Sequence, residues 1–109
     1  MSWKVNFFKT DRGDCPVKEF IEDLNLPTIS KITHTIELLE DYGPYLKPPY
    51  IKKMGNKFYE LRTSGKIAVR IFYTICKNEY YLLHAFRKKS RKTPGQEIKT
   101  AIDKMKELI

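Results

Sequence analysis

At 109 residues the chain is one domain by length, and 41% hydrophobic with 13% aromatic residues is enough to bury a modest core without covalent staples. Charged residues make up 31%, and no apolar run approaches the ~20 residues needed to cross a bilayer, which excludes a helical membrane protein. The net charge of +8 is concentrated, with 12 Lys/Arg against 2 Asp/Glu in residues 52–92 and 6 against 8 in residues 1–51.

A surface so polarised attracts polyanions, the expected footprint of a nucleic-acid binder, with solvated lysine-rich strands as the competing reading. The opening Met1-Ser2-Trp3-Lys4-Val5 has no apolar signal core, so the expected location is cytoplasmic. Cys15 and Cys76 lie far apart and outside any Cys/His ligand spacing; they read as buried free thiols.

In chain order, Trp3 to Lys9 alternates as a strand, with Trp3, Val5 and Phe7 on one face and Phe8 out of step. Asp11-Arg12-Gly13-Asp14 is a turn, and Asp14 is placed to cap a helix opened by Cys15-Pro16. Val17, Phe20, Ile21 and Leu24 recur along that helix at helical spacing. A second helix runs from about Thr28 to Tyr42, with Ile29, Ile32, Ile36 and Leu39 on one stripe and Gly43-Pro44 as its stop. The two read as an antiparallel helical hairpin laid on a sheet. His34, in mid-helix with no second ligand or base nearby, reads as an ordinary helix-surface or core-edge residue. Residues 44–50 are too proline-rich for periodic structure. Their Tyr45 and Tyr50 either pack on the body or stack on bases.

From Lys57 the period changes to two. Phe58 to Thr63, Lys66 to Cys76 and Glu79 to Arg87 are three strands, joined by Ser64-Gly65 and Lys77-Asn78 as consecutive antiparallel hairpins. Five cations then crowd into the six residues Arg87 to Lys92. Thr93 is placed to cap a terminal helix whose first turn takes Pro94 and whose stripe is Ile98, Ala101, Ile102, Met105 and Ile109. The expectation is a single α+β domain spanning 1–109, a small and mainly antiparallel sheet with the N-terminal helical hairpin on one face and a C-terminal helix.

Strand parity sorts the charged residues. Ile67, Val69, Ile71 and Tyr73 suit burial against the helices, which leaves Lys66, Ala68, Arg70 and Phe72 on the other, open face. In the preceding strand Tyr59 and Leu61 take the helix side, leaving Phe58, Glu60 and Arg62 open. Two arginines on one open face form a candidate anion clamp; the alternative is a structural cross-strand salt bridge between Arg70 and Glu60. The last strand is apolar on both parities until its basic end, so either Lys88 or Arg87 with Lys89 is delivered beside Arg62 and Arg70. His84 has apolar neighbours that predict burial.

Residues 58–62 (FYELR), 68–73 (AVRIFY) and above all 82–108 (LLHAFRKKSRKTPGQEIKTAIDKMKEL) resemble the phage-derived HigB branch of the RelE/ParE toxin superfamily. The resemblance is strong from about residue 50 to 108 and looser before it. It implies a RelE-like fold and the toxin of a type II toxin–antitoxin pair. The implied activity is a metal-independent mRNA interferase, which cuts mRNA in the ribosome by activating a ribose 2′-OH to attack the adjacent phosphodiester. That chemistry needs a base, cations for the charge developing on the phosphate, and an acid for the leaving 5′-oxygen. Arg62 and Arg70 suit the phosphate clamp, and Lys88 and Lys89 match the family's basic strand end as candidates for transition-state stabilisation and proton transfer.

Lys52, Lys53, Lys57, Arg87, Arg91 and Lys92 would hold RNA backbone around that site. No cofactor is implied. The implied partners are mRNA on the ribosome and a helix-turn-helix, HigA-like antitoxin whose complex with the toxin binds operator DNA; no membrane is involved. Some relatives place a Tyr or His base in the C-terminal segment, and from Arg87 to Ile109 this chain has neither. A non-catalytic basic module that binds RNA or the ribosome, and a gyrase inhibitor of the ParE kind, are the other two readings.

Overall fold

The doubly apolar last strand has a plain cause, which is that it lies inside the sheet with cover on both faces. The computed structural model describes residues 2–91 and 94–108, so the Thr93 cap, Lys92 and the last stripe residue Ile109 lie outside the described residues. The elements are β1 (Val5–Phe7), α1 (Pro16–Glu22), α2 (Leu26–Tyr42), a 3-10 turn (Gly43–Tyr45), β2 (Ile51–Gly55), β3 (Phe58–Thr63), β4 (Val69–Cys76), β5 (Glu79–Arg87) and α3 (Gly95–Leu108). The sheet has five strands in the order β1-β5-β4-β3-β2. β1 runs parallel to β5 and every other pair is antiparallel, so the sheet is mixed.

Local chemistry accounts for the element ends. The Asn25 side chain accepts the Thr28 N–H at 3.0 Å and starts α2 at Leu26, two residues before the expected Thr28. Cys15 takes the first cap of α1, and the Glu19 carboxylate accepts its N–H, so Asp14 does not act as the cap. α2 ends at Gly43, at φ +51°, and a Cβ there would run into the Trp3 ring. Lys77 and Asn78 both have positive φ, as a two-residue hairpin of the β4–β5 type requires. The β3–β4 connection is longer than expected, because Thr63 pairs with Val69 and β4 therefore starts at Val69, three residues after Lys66.

The helices are not arranged as the expected hairpin. The expected first strand is present as β1, but α1 has 7 residues against 17 in α2, and α1 lies mainly over β5 while α2 lies over β3. Nor are all helices on one side. Val17, Ile21, Ile32 and Leu39 bury one sheet face together with Leu61, Val69, Ile71, Tyr73 and Leu82. Ala101 of α3 covers the opposite face with Phe8, Phe58, Phe72, Leu83 and Phe86. The face expected to be open is therefore closed over most of its length, and what stays accessible is the end where Arg62 emerges beside a mostly buried Arg70. A strand also appears where only a loop boundary was expected, since Ile51–Gly55 pairs along β3 as the sheet edge.

Candidate functional site

Antiparallel pairing of β3 with β4 sets Arg62 directly opposite Arg70, with Glu60 opposite Phe72 on the same face. Like charges so placed repel unless a counter-charge stands between them. Glu60 is that counter-charge: its Oε1 is 3.5 Å from Arg62 Nε and 3.9 Å from Arg70 Nε, and its side chain is 2% exposed. Arg70 is held further by hydrogen bonds from one terminal guanidinium nitrogen to the carbonyls of Thr63 (2.9 Å) and Val69 (3.1 Å). Its Nε is buried and makes no hydrogen bond among the described residues. Burial first, and then the like charge of Arg62, push the Arg70 guanidinium below its ordinary value, while Glu60 opposes them. It nonetheless stays cationic at any working pH. Arg62 is three times as accessible, at 34% against 12%. The pair thus divides into an anchored cation and an outward one.

The basic end of β5 is sorted by register. Val69 pairs with Arg87 and Arg70 with Phe86, and the Lys88 N–H donates to the Ala68 carbonyl at 2.9 Å. Continuing the alternation puts Lys88 on the Arg70 side and Arg87 on the α1 side. Arg87 and Lys89 line a separate depression of about 360 Å³, with Phe20, Ser90, Pro94 and Glu97. Of the backbone-binding candidates, Lys52 pairs with Glu60 and so shares the face of Arg62, whereas Lys53 pairs with Tyr59 and takes the opposite face. Lys57 sits before Phe58, at the other end of β3 from Arg62. Arg91 is exposed beyond β5, and Lys92 lies outside the described residues.

A cavity of about 380 Å³ opens beside Arg62, with Arg70 and Ser64 on one wall, Lys31 and His34 of α2 on another, and Tyr50 on a third. Neither Lys31 nor His34 stood among the expected site residues, because nothing in local spacing ties α2 to the end of β3, whereas Tyr50 was weighed for base stacking. His84 is the other surprise. It is partly exposed, and its Nε2–H donates to the Glu97 carboxylate of α3 at 2.6 Å, with the ring stacked near Phe86. Glu97 in the first turn of a helix was visible in the sequence; its partner 13 residues earlier was not. The two cysteines are free and half-buried. Among the described residues no group of three or more His, Cys, Asp or Glu gathers as a metal site.

A family model described as Phage derived protein Gp49-like matches residues 19–106, a span that runs from α1 into α3 and includes every site residue above. No curated protein matches the chain.

Proposed function

The chain belongs to the Gp49-like family of phage-derived proteins, and from that premise we propose that it is a HigB-type endoribonuclease acting on mRNA in the ribosome. The family is RelE/HigB-like, its members are generally toxins of toxin–antitoxin systems, and an antitoxin partner follows from that membership. The observation that carries the catalytic reading is the opposed Arg62–Arg70 pair around a single buried carboxylate. A guanidinium held in place before substrate arrives loses little freedom when it meets a phosphate, which is how electrostatic stabilisation of a transition state is best supplied.

In this reading the 2′-OH attacks the neighbouring phosphorus, and Arg62 takes the non-bridging oxygens through its planar fork. Arg70, anchored to two carbonyls and Glu60, adds field and keeps Arg62 turned outward. Lys88, on the same face, and Lys89, at the neighbouring depression, stabilise charge on the phosphate and the leaving oxygen. Lys52, Lys53, Lys57, Arg87, Arg91 and Lys92 are the cations this reading assigns to RNA backbone. The antitoxin of this reading is a HigA-like helix-turn-helix protein, and its surface toward a +8 toxin is acidic. The complex of the two binds operator DNA.

One observation favours a second reading: Arg70 is already engaged by protein groups, as expected of a structural cation in a module that binds RNA by charge alone. The test is mRNA integrity on programmed ribosomes with purified protein. Discrete cleavage products support the endoribonuclease, and intact mRNA with retained ribosome binding supports the basic module. Growth arrest with DNA damage and intact mRNA would instead point to a gyrase inhibitor.

A further inference from the structure

The endoribonuclease reading leaves two groups unassigned, the acceptor of the 2′-OH proton and the donor to the leaving 5′-oxygen. The chain has two histidines. His84 is engaged by Glu97. His34 is exposed on α2, its ring makes no hydrogen bond among the described residues, and it lines the cavity that also collects Arg62 and Arg70. Imidazole is the side chain suited to take and return a proton near neutral pH.

The rest of that cavity is suited to a nucleotide. Lys31 and His34 are three residues apart and so share one face of α2. Lys31 reaches the β3–β4 connection, where a Cβ on Gly65 would collide with its Nζ; Gly65 sits at φ +122°, a conformation open to glycine alone at no cost. The Tyr50 carbonyl accepts the Arg62 N–H at 2.8 Å, which ties the residue to β3 while the residue as a whole remains 43% exposed. A volume of about 380 Å³ lies in the range of small-ligand sites, and no carboxylate lines it to repel a phosphate.

We propose that this cavity receives the ribonucleotide whose 2′-hydroxyl attacks, with His34 as the proton acceptor. The inference rests on the endoribonuclease reading and deepens it. The 2′-OH proton passes to an imidazole nitrogen of His34, the O2′–P bond forms and the P–O5′ bond breaks. The leaving 5′-oxygen takes a proton from the Lys31 ammonium, which recovers one from water. The products are a 2′,3′-cyclic phosphate and a 5′-hydroxyl. Arg62 holds the phosphate, and the Tyr50 ring offers a stacking face to the base. The charged and titratable groups facing His34 in the cavity are Lys31 on its own helix, Tyr50 on the loop, and Arg62 and Arg70 on the sheet.

The test is single-turnover cleavage on programmed ribosomes between pH 5.5 and 8.5 by wild type, His34→Gln and Lys31→Ala, with ribosome binding and thermal melting measured in parallel. The expected result is a loss of about 10²-fold for His34→Gln together with loss of the acid limb of the pH profile, at unchanged melting and binding. Adenosine 3′-monophosphate should also shift the His34 and Tyr50 ring resonances in the wild-type protein. His34→Gln cleaving within about 2-fold of an active wild type, with the same pH profile, overturns the role of His34 and leaves the endoribonuclease standing. Absence of ring shifts overturns the nucleotide site. A wild type that leaves mRNA intact removes the enzyme reading and this inference with it.

Discussion

Arg62 and Arg70 face each other across β3 and β4 with the same Glu60 oxygen, at 3.5 and 3.9 Å, against both. Two cations on adjacent strands are tolerable only because that carboxylate is buried between them. The arrangement makes Glu60 the keystone of the arginine pair and gives the two cations unequal freedom.

Replacing Glu60 should therefore cost stability before it costs chemistry. Glu60→Ala leaves Arg70 with an uncompensated, mostly buried charge, and removal of one partner of a buried pair typically costs about 3 kcal/mol. Urea unfolding of the variant measures this directly, and a loss below about 1 kcal/mol would mean that the carboxylate is not holding the pair.

The two arginines should separate by assay. Arg62→Ala is expected to lower cleavage by about 10²-fold, the scale of losing one oxyanion stabiliser, with stability changed by less than about 1 kcal/mol because its ion pair is partly solvated. Arg70→Ala should lower cleavage and stability together, since it also strips partners from the Thr63 and Val69 carbonyls. Equal effects on melting would contradict the division into anchored and outward cations.

The His84–Glu97 contact ties α3 to β5 at 2.6 Å. Glu97→Ala should destabilise the fold by about 1 kcal/mol, the usual worth of a partly exposed, charge-assisted hydrogen bond. Amide exchange should accelerate in α3 more than in β3 or β4. Uniform acceleration would show that the contact is not local to that helix.

Alkaline stability should depend on Tyr73. Burial, then its neighbours Tyr80 and Tyr59, hold its phenol well above the ordinary value of 10.0. Below about pH 10 both the folded and the unfolded chain keep the proton, and the stability linked to this group is fully present. Above it the unfolded chain ionises first, so stability falls as pH rises toward the folded value. Tyr80 shifts in the same direction, again chiefly through burial. Tyr73→Phe should flatten the fall in urea midpoint between pH 8 and pH 11, and an unchanged slope would refute the linkage.

What could be read without the fold was whatever repeats over a few residues. Period two marked β3 and β5 to their observed ends, period 3.6 marked three helices, and the alternation of Trp3, Val5 and Phe7 against Phe8 sorted two cores correctly. Parity alone put Glu60, Arg62 and Arg70 on one face, because side chains alternate along any strand. The edge strand Ile51–Gly55 was missed, since two lysines and a glycine make no apolar pattern and only its neighbour β3 holds it.

Tertiary contact decided the rest. Register between β4 and β5, and nothing within β5, put Lys88 on the face of Arg70 and Arg87 on the opposite one. Docking of α3 closed the face that parity had left open, and docking of α2 carried Lys31 and His34 to the end of β3. Those choices rest on contacts between residues far apart in the chain, which short-range periodicity does not encode. Local pattern alone specifies a basic α+β domain with two arginines on one strand face. The packing determined which of them is anchored and which faces outward, and which histidine shares their cavity.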